Sequence, residues 1–341
     1  MLRLLFAGFG TVGQGLTELL LEGKGSLARE CGLEYRVVGI SDMLKGSVYD
    51  PDGVDLERAL EAVKNGGSLN DLPRAWTGGD TLAFIQSANA DVLLEATYTD
   101  IKTGEPATAH IKAALDRGMH VVTSNKGPLA LNYHELSALA RKRNRHFLFE
   151  GTVMSGTPCL NLLRECLAGS GIQEIKGILN GTTNYILTRM EEGLSSEDAL
   201  KKAQELGYAE AVPDADVLGW DALAKVTILA NVVFGATKKP FEYPCQGITE
   251  ITAEAIAKAK KEHKRYKLIG RVWKEGDEVK ASVAPQEIPI SHPLAGVMGA
   301  VNAATVTSAA MGEVTIVGKG AGRKETGFSL LIDLIHIARR R

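Results

Sequence analysis

The loop Gly8-Phe9-Gly10-Thr11-Val12-Gly13 restricts what this chain can fold into more than any other segment. It follows a short apolar run, Leu2–Ala7, and opens a helical pattern. A G-x-G-x-x-G loop between a strand and a helix is the fingerprint of a dinucleotide-binding βαβ unit. Gly8 permits the tight turn. Gly10 lets the backbone approach a pyrophosphate, and Gly13 lets the helix pack closely on the strand. The helix N-terminus then offers free N–H groups and a positive dipole end to the anion.

The rest of the first 150 residues fits that start. Strand-like runs at 2–7, 35–40, 91–95 and 120–123 alternate with helical patterns at 12–29, 56–64, 111–117 and 133–145. Such alternation implies a parallel sheet covered on both faces. Near residue 150 the alternation stops. A strand is expected at 172–179, a turn at Asn180-Gly181, and helices at 183–192, 196–206 and 219–234. Ser195 or Ser196 is positioned to cap the second of these. A polar loop is read at 207–216, short strands and turns over 272–308, and a last helix at 326–339. The class is α/β: a Rossmann-type doubly wound sheet followed by an α+β region.

Composition removes several alternatives. The 341 residues are 45% hydrophobic, enough for two folded domains of roughly 100–200 residues each. The 39 Lys+Arg against 41 Asp+Glu leave a net charge of −2, so nucleic acid is not the expected partner. No apolar stretch approaches the roughly 20 residues of a membrane span. The longest, 226–236, is interrupted by Thr227 and Asn231. The N-terminal run enters the glycine loop with no cleavage pattern and reads as a strand, not a signal peptide. Cys31, Cys159, Cys166 and Cys245 form no CxxC pair, so reduced thiols in a cytoplasm are expected, and zinc is not. The lysine-rich stretch 258–280 and the tail Arg339, Arg340, Arg341 read as solvated helix faces or ends.

Two places carry chemistry. Asp42, after the second strand, stands where an acid takes the ribose hydroxyls of NAD. Lys45 nearby would suit a 2′-phosphate, so the coenzyme stays open between NAD and NADP. The second place is the block 207–225, Gly-Tyr-Ala-Glu-Ala-Val-Pro-Asp-Ala-Asp-Val-Leu-Gly-Trp-Asp-Ala-Leu-Ala-Lys. Asp221 and Lys225 share a helix face. Leu223, Val226, Ile228, Leu229 and Val232 wrap that helix, so the charged pair needs a cavity or a partner. Glu210 lies in the preceding loop, which can fold back towards the pair. Two acids and a lysine suit a zwitterion with a reducible carbonyl: the acids accept from an ammonium, and the lysine donates to the carbonyl oxygen.

These residues, with Thr103-Gly104-Glu105-Pro106, Thr123-Ser124-Asn125-Lys126, Asn180-Gly181-Thr182-Thr183-Asn184 and Gly320-Ala321-Gly322, resemble homoserine dehydrogenase over nearly the whole chain. The resemblance implies interconversion of L-homoserine and L-aspartate 4-semialdehyde with NAD or NADP, in threonine and methionine biosynthesis. It implies a nucleotide-binding domain at 1–149 completed by a C-terminal helix at 323–341, and a catalytic and dimerisation region at 150–322, in a homodimer. Lys225 matches the catalytic lysine, and Lys126 a lysine between cofactor and substrate that shares its role. Gly207, Glu210 and Asp221 match substrate ligands. Thr97 and Gly322 match cofactor contacts, beside Gly8, Phe9, Gly10, Thr11, Val12, Gly13 and Asp42. Glu150, Val153, Ser155 and Thr157 match a site for a monovalent cation, Na+, built largely from carbonyl oxygens. Three departures stand out. The chain ends too early for a regulatory domain, so threonine feedback through one is not expected. Val212 replaces an Asp in the Glu210 loop. Arg323 and Lys324 after Gly322 add positive charge that would favour a phosphate.

Two rival readings are weaker. A phosphorylating semialdehyde dehydrogenase needs a thiolate, and Cys159 and Cys166, seven apart on an expected helix, have no evident His partner. A dinucleotide-sensing regulator leaves Glu210, Asp221 and Lys225 unexplained.

Overall fold

A computed structural model describes residues 1–64 and 66–340. Arg341 lies outside the described residues, so its place in the basic tail and in the 323–341 helix is not addressed. The chain divides into two compact units, Met1–Gly156 with Gly322–Arg341, and Thr157–Ala321.

The first unit runs β1 (Leu2–Ala7), α1 (Thr11–Glu22), α2 (Ser26–Cys31), β2 (Tyr35–Asp42), β3 (Gly46–Tyr49), α3 (Leu56–Lys64), α4 (Thr81–Ser87), β4 (Val92–Glu95), α5 (Ala107–Asp116), β5 (His120–Thr123), α6 (Lys126–Lys142) and β6 (Phe147–Leu148). The six strands lie in the order β3-β2-β1-β4-β5-β6. All neighbours are parallel except β2 and β3, which form an antiparallel hairpin. The strand order reverses direction at β1, and the ends of β1, β2 and β4 therefore open onto one crevice. The core is built from Leu4, Phe6, Phe9, Leu16, Leu20 and Leu94, all essentially inaccessible.

The second unit contains β7 (Ile172–Ile178), α7 (Gly181–Glu191), α8 (Ser196–Glu205), α9 (Asp214–Val217), α10 (Trp220–Phe234), α11 (Ala253–Lys261), β8 (Lys264–Glu275), β9 (Glu278–Pro289), β10 (Val301–Ser308) and β11 (Gly312–Lys319). Its sheet is antiparallel in the order β11-β10-β7-β8-β9. Helix α10 packs on β8 and β9. Gly270 makes room for it, since a Cβ there would sit 2.5 Å from a methyl of Val226.

The last helix, α12 (Arg323–Arg339), belongs to the first unit. Two glycines set its distance from α1. A Cβ on Gly15 would meet the Arg323 carbonyl oxygen at 2.0 Å, and one on Gly327 would meet the Leu16 nitrogen at 2.5 Å. The two backbones are in direct contact, as small residues at a crossing allow.

Several local expectations need correction. The helix expected at 12–29 is two helices, because Gly23 and Gly25 break it and Gly25 takes φ +92°. Asn180 is the N-cap of α7, not a turn residue: its side chain accepts from the Thr183 N–H. The short strands expected over 272–308 are a long hairpin, β8–β9, that begins before that stretch, followed by β10. The stretch 258–280 is therefore not all solvated helix. Lys267 lies in β8 at 1% exposure, with Nζ 2.9 Å from Asn184 Oδ1 and 2.5 Å from the Val297 carbonyl. Cys159 and Cys166 do not share a regular helix; a π-helical turn spans Leu162–Cys166.

Candidate active site

The crevice of the first unit encloses about 740 Å³ and is lined by Gly8, Gly10, Asp42, Lys45, Thr97 and His110, among others. Each glycine of the loop has its own reason. Gly8 takes φ +92°, and a Cβ there would lie 2.4 Å from the Ala96 carbonyl oxygen. A Cβ on Gly13 would strike the Gly8 carbonyl at 2.6 Å, so the helix–strand approach excludes one. A Cβ on Gly10 would meet nothing within 4 Å. The absence of a side chain at Gly10 therefore serves no packing need; it leaves space over the N-terminus of α1, where no side chain caps the helix. That space suits an anion. Phe9 is buried, while Thr11 and Val12 face the crevice.

Asp42 closes the crevice at the end of β2. Its Oδ2 accepts from the Phe9 N–H at 2.7 Å, and its Oδ1 from the Leu44 and Lys45 N–H groups, each at 3.0 Å. Lys45 Nζ stands 3.7 Å from the same carboxylate. Thr97, just past β4, donates its N–H to Glu95 Oε1 at 3.1 Å and its hydroxyl to the same atom. Glu95 is fully buried and also accepts from the Thr123 hydroxyl at 2.8 Å. Lys126 opens α6 behind its cap Asn125 and is half-buried. Gly322 caps α12 at φ +140°, where a Cβ would meet the Glu325 carboxylate. Arg323 and Lys324, just after Gly322, pair with Glu18 and Glu22 of α1.

Glu150 is 3% exposed, and its N–H donates to Asp333 Oδ2 at 3.0 Å. Val153 and Ser155 are buried. Met154 and Ser155 both take positive φ, +62° and +56°, which turns consecutive peptide groups in a way L residues rarely adopt. Ser155 Oγ lies 2.7 Å from Thr326 Oγ1, and the Thr157 hydroxyl donates to the Lys319 carbonyl at 3.0 Å. Among the described residues no cluster of three or more His, Cys, Asp or Glu side chains is placed to hold a metal.

The second unit buries the amine. Lys225 is 7% exposed, and its Nζ donates to the Leu179 carbonyl at 2.6 Å and to Asp221 Oδ2 at 2.7 Å. An ammonium has three N–H groups, and among the described residues the third has no partner. Asn180, between β7 and α7, gathers the acids: its Nδ2 donates to Asp216 Oδ1 at 2.6 Å and to Asp221 Oδ2 at 2.9 Å. Burial and the neighbouring Asp221 charge push the Asp216 carboxyl up, against the opposing pull of Asn180 and Lys225. The acid that the fold brings beside Asp221 is thus Asp216. Glu210 is exposed, and its carbonyl accepts from Gln204 Nε2 at 3.0 Å. Gly207 follows α8 at φ +73° and is also exposed. Sequence reasoning passed over Asn180, the Leu179 carbonyl and Asp216. Asn180 and Asp216 lay inside motifs already singled out; a carbonyl leaves no trace in sequence.

A dinucleotide crevice in one unit and a buried amine with its acids in the other define an NAD(P)-dependent oxidoreductase. Family models described as the homoserine dehydrogenase NAD binding domain and as homoserine dehydrogenase match residues 8–150 and 158–335. The chain belongs to the homoserine dehydrogenase family. It is 44% identical over 336 residues to an NAD(+)-dependent homoserine dehydrogenase of Pseudomonas canavaninivorans, covering 98% of this chain and 96% of that one. It is 42% identical to the homoserine dehydrogenase of Methanocaldococcus jannaschii, covering 98% of each. A putative homoserine dehydrogenase from Archaeoglobus fulgidus superposes with a TM-score of 0.90 at 38% identity, covering 99% of each chain. A hyperthermophilic archaeal homoserine dehydrogenase in complex with NADPH gives 0.85 at 32% identity, covering 100% of this chain and 98% of that one. Among the described residues, no helix is long and apolar enough to cross a membrane.

Proposed function

We propose that this chain interconverts L-homoserine and L-aspartate 4-semialdehyde with a nicotinamide dinucleotide, a shared step of threonine and methionine synthesis. The observation that carries the reading is the Lys225 ammonium, buried, held by two acceptors and left with one N–H that has no partner among the described residues.

Gly8, Gly10 and Gly13 hold the pyrophosphate against α1, with Thr11 and Val12 lining its path, the buried Phe9 taking part through its backbone alone, and Thr97, Lys126 and Gly322 as further contacts. The open space over Gly10 supports that fit. Asp42 meets the ribose. Asp42 and Lys45 both line that end of the crevice, the carboxylate favouring NAD and the ammonium tempering that preference. When bound, the dinucleotide supplies or takes up the hydride.

In the reducing direction, negative charge builds on the aldehyde oxygen. The third N–H of Lys225 points at that charge and gives up the proton. Asp221 and the Leu179 carbonyl fix the direction of that N–H. Asp221 and Asp216 accept from the substrate's ammonium, with Glu210 and the Gly207 backbone on the preceding loop as further ligands. Lys126 orients the substrate carbonyl.

The buried Glu150 carboxylate and the left-handed backbone at Met154 and Ser155 supply the hard oxygen set that a monovalent cation such as Na+ takes, with Val153, Ser155 and Thr157 as carbonyl or hydroxyl donors. A homodimer in the cytoplasm completes the reading; the four cysteines are thiols rather than disulfides, as a reducing compartment keeps them. The test is oxidation of L-homoserine followed at 340 nm with NAD and with NADP, with and without sodium; no reduction with either coenzyme contradicts the reading.

A further inference from the structure

Asn302 occupies a place that suits it poorly unless it has work to do. It stands near the start of β10, a central strand of its sheet, and is 0% exposed. Asparagine is depleted in strands, and a buried amide needs partners for both its ends. This one has a partner for only one. Its Nδ2 donates to the Leu179 carbonyl at 3.1 Å, and its Oδ1 has no hydrogen-bond partner among the described residues. The register explains the contact. The β7–β10 ladder pairs Ile178 with Ala303, so Leu179 and Asn302 face each other one step past its end. Among the described residues no backbone N–H donates to the Leu179 carbonyl there, and the side chain of Asn302 does so instead. Gly320 makes room for it: a Cβ on Gly320 would lie 2.1 Å from the Asn302 amide.

The Leu179 carbonyl is also the atom that holds Lys225 Nζ. We infer that Asn302 is a positioning residue for the reaction: it clamps the Leu179 carbonyl and thereby sets where the free N–H of Lys225 points. The inference rests on the functional reading above. An unpaired buried acceptor is a standing cost to the fold, and removing the whole amide relieves it. A purely structural asparagine would behave in the opposite way.

The test compares the wild type with Asn302→Leu, which keeps the heavy-atom count but neither donates nor accepts, and with Asn302→Ala. The readouts are kcat and KM for L-homoserine and the Tm. In Asn302→Leu, kcat falls roughly tenfold, as expected when a reacting group loses its alignment. KM stays within about twofold, because the substrate's acids are untouched. The Tm is unchanged or higher. Asn302→Ala shows the same loss of kcat with a lower Tm from the cavity. If the wild type fails to oxidise L-homoserine, the functional reading and this inference fall together. If the wild type is active and both variants keep its kcat, this inference alone falls. It falls equally if both variants fail to fold, or if kcat is lost only in step with Tm, since Asn302 would then serve the fold.

Discussion

The Nζ of Lys225 lies 2.6 Å from the carbonyl oxygen of Leu179, just past the end of β7 in the same unit. Asp221, one turn earlier on α10, holds the same nitrogen at 2.7 Å. Desolvating an ammonium is costly, and charge-assisted hydrogen bonds to a carbonyl and a carboxylate offset that cost. Two fixed acceptors also fix the third N–H. The charge that makes the helix awkward to bury is the charge the reaction needs.

Asp216 sits beside Asp221 with its carboxyl pushed up by burial and by that neighbour. Its proton is therefore bound more tightly in the folded chain than in the unfolded one. Ionised Asp216 destabilises the fold, and the protein gains stability as pH falls through the raised value. Asp216→Asn should raise the Tm at pH 7 and raise KM for L-homoserine about tenfold, the worth of a charged hydrogen bond to the substrate's ammonium. Thermal melts and initial rates on one preparation check both. A lowered Tm with an unchanged KM would contradict this assignment.

The glycine loop separates folding from binding. Gly10→Ala points its methyl into open space, so the fold and Tm should survive while NADH affinity drops at least about tenfold, because backbone–phosphate hydrogen bonds are charge-assisted. Gly8→Ala meets the Ala96 carbonyl at 2.4 Å in a backbone conformation that disfavours side chains, so the fold itself should suffer. Fluorescence titration with NADH and thermal melts check the contrast. Equal effects on both readouts would show that the open space over Gly10 is not the binding cradle.

Coenzyme preference follows from where the charges sit. Arg323→Ala should leave the ratio of kcat/KM for NAD to that for NADP unchanged, since its guanidinium pairs with Glu18. Lys45→Ala should raise that ratio about tenfold or less, by removing the cation nearest Asp42. A large change in the Arg323 variant would return that residue to the cofactor site.

Burial pulls the Lys267 ammonium down to about 8. Between that value and the ordinary lysine range, the unfolded chain binds the extra proton and the folded one does not. Stability therefore rises with pH through this window, by up to the order of 3 kcal/mol. Lys267→Met should lack that rise. Chemical denaturation of both proteins from pH 7 to pH 10 measures it, and parallel curves would mean that Lys267 does not titrate there.

Much of the first unit was legible because its signals are local: a glycine loop, alternating apolar runs and an acid at the end of a strand. The β2–β3 hairpin was not, because β3 is short and lies in a Gly-rich stretch that reads as loop. In the second unit, Asp221 and Lys225 were visible from helix spacing alone. Their partners were not. Leu179 contributes only a carbonyl, and Asn180 reads as a turn residue until its side chain is seen capping α7 and bridging two acids. Lys267 misled for a different reason. A lysine among lysines reads as solvated, and only the register of β8 shows that it points at Asn184. Glu210 read as converging on Lys225; in the structure it lies on an exposed loop, where its carbonyl accepts from Gln204 Nε2.

The most direct test of the account is Lys225→Met, which keeps the length of the buried side chain and removes its charge. L-homoserine oxidation and NADH binding are measured on the same preparation. The account predicts that kcat falls by a factor of about 10²–10⁴, the usual worth of a positioned proton donor, while the Kd for NADH stays at the wild-type value. A variant that turns over L-homoserine at a rate near the wild type would contradict it.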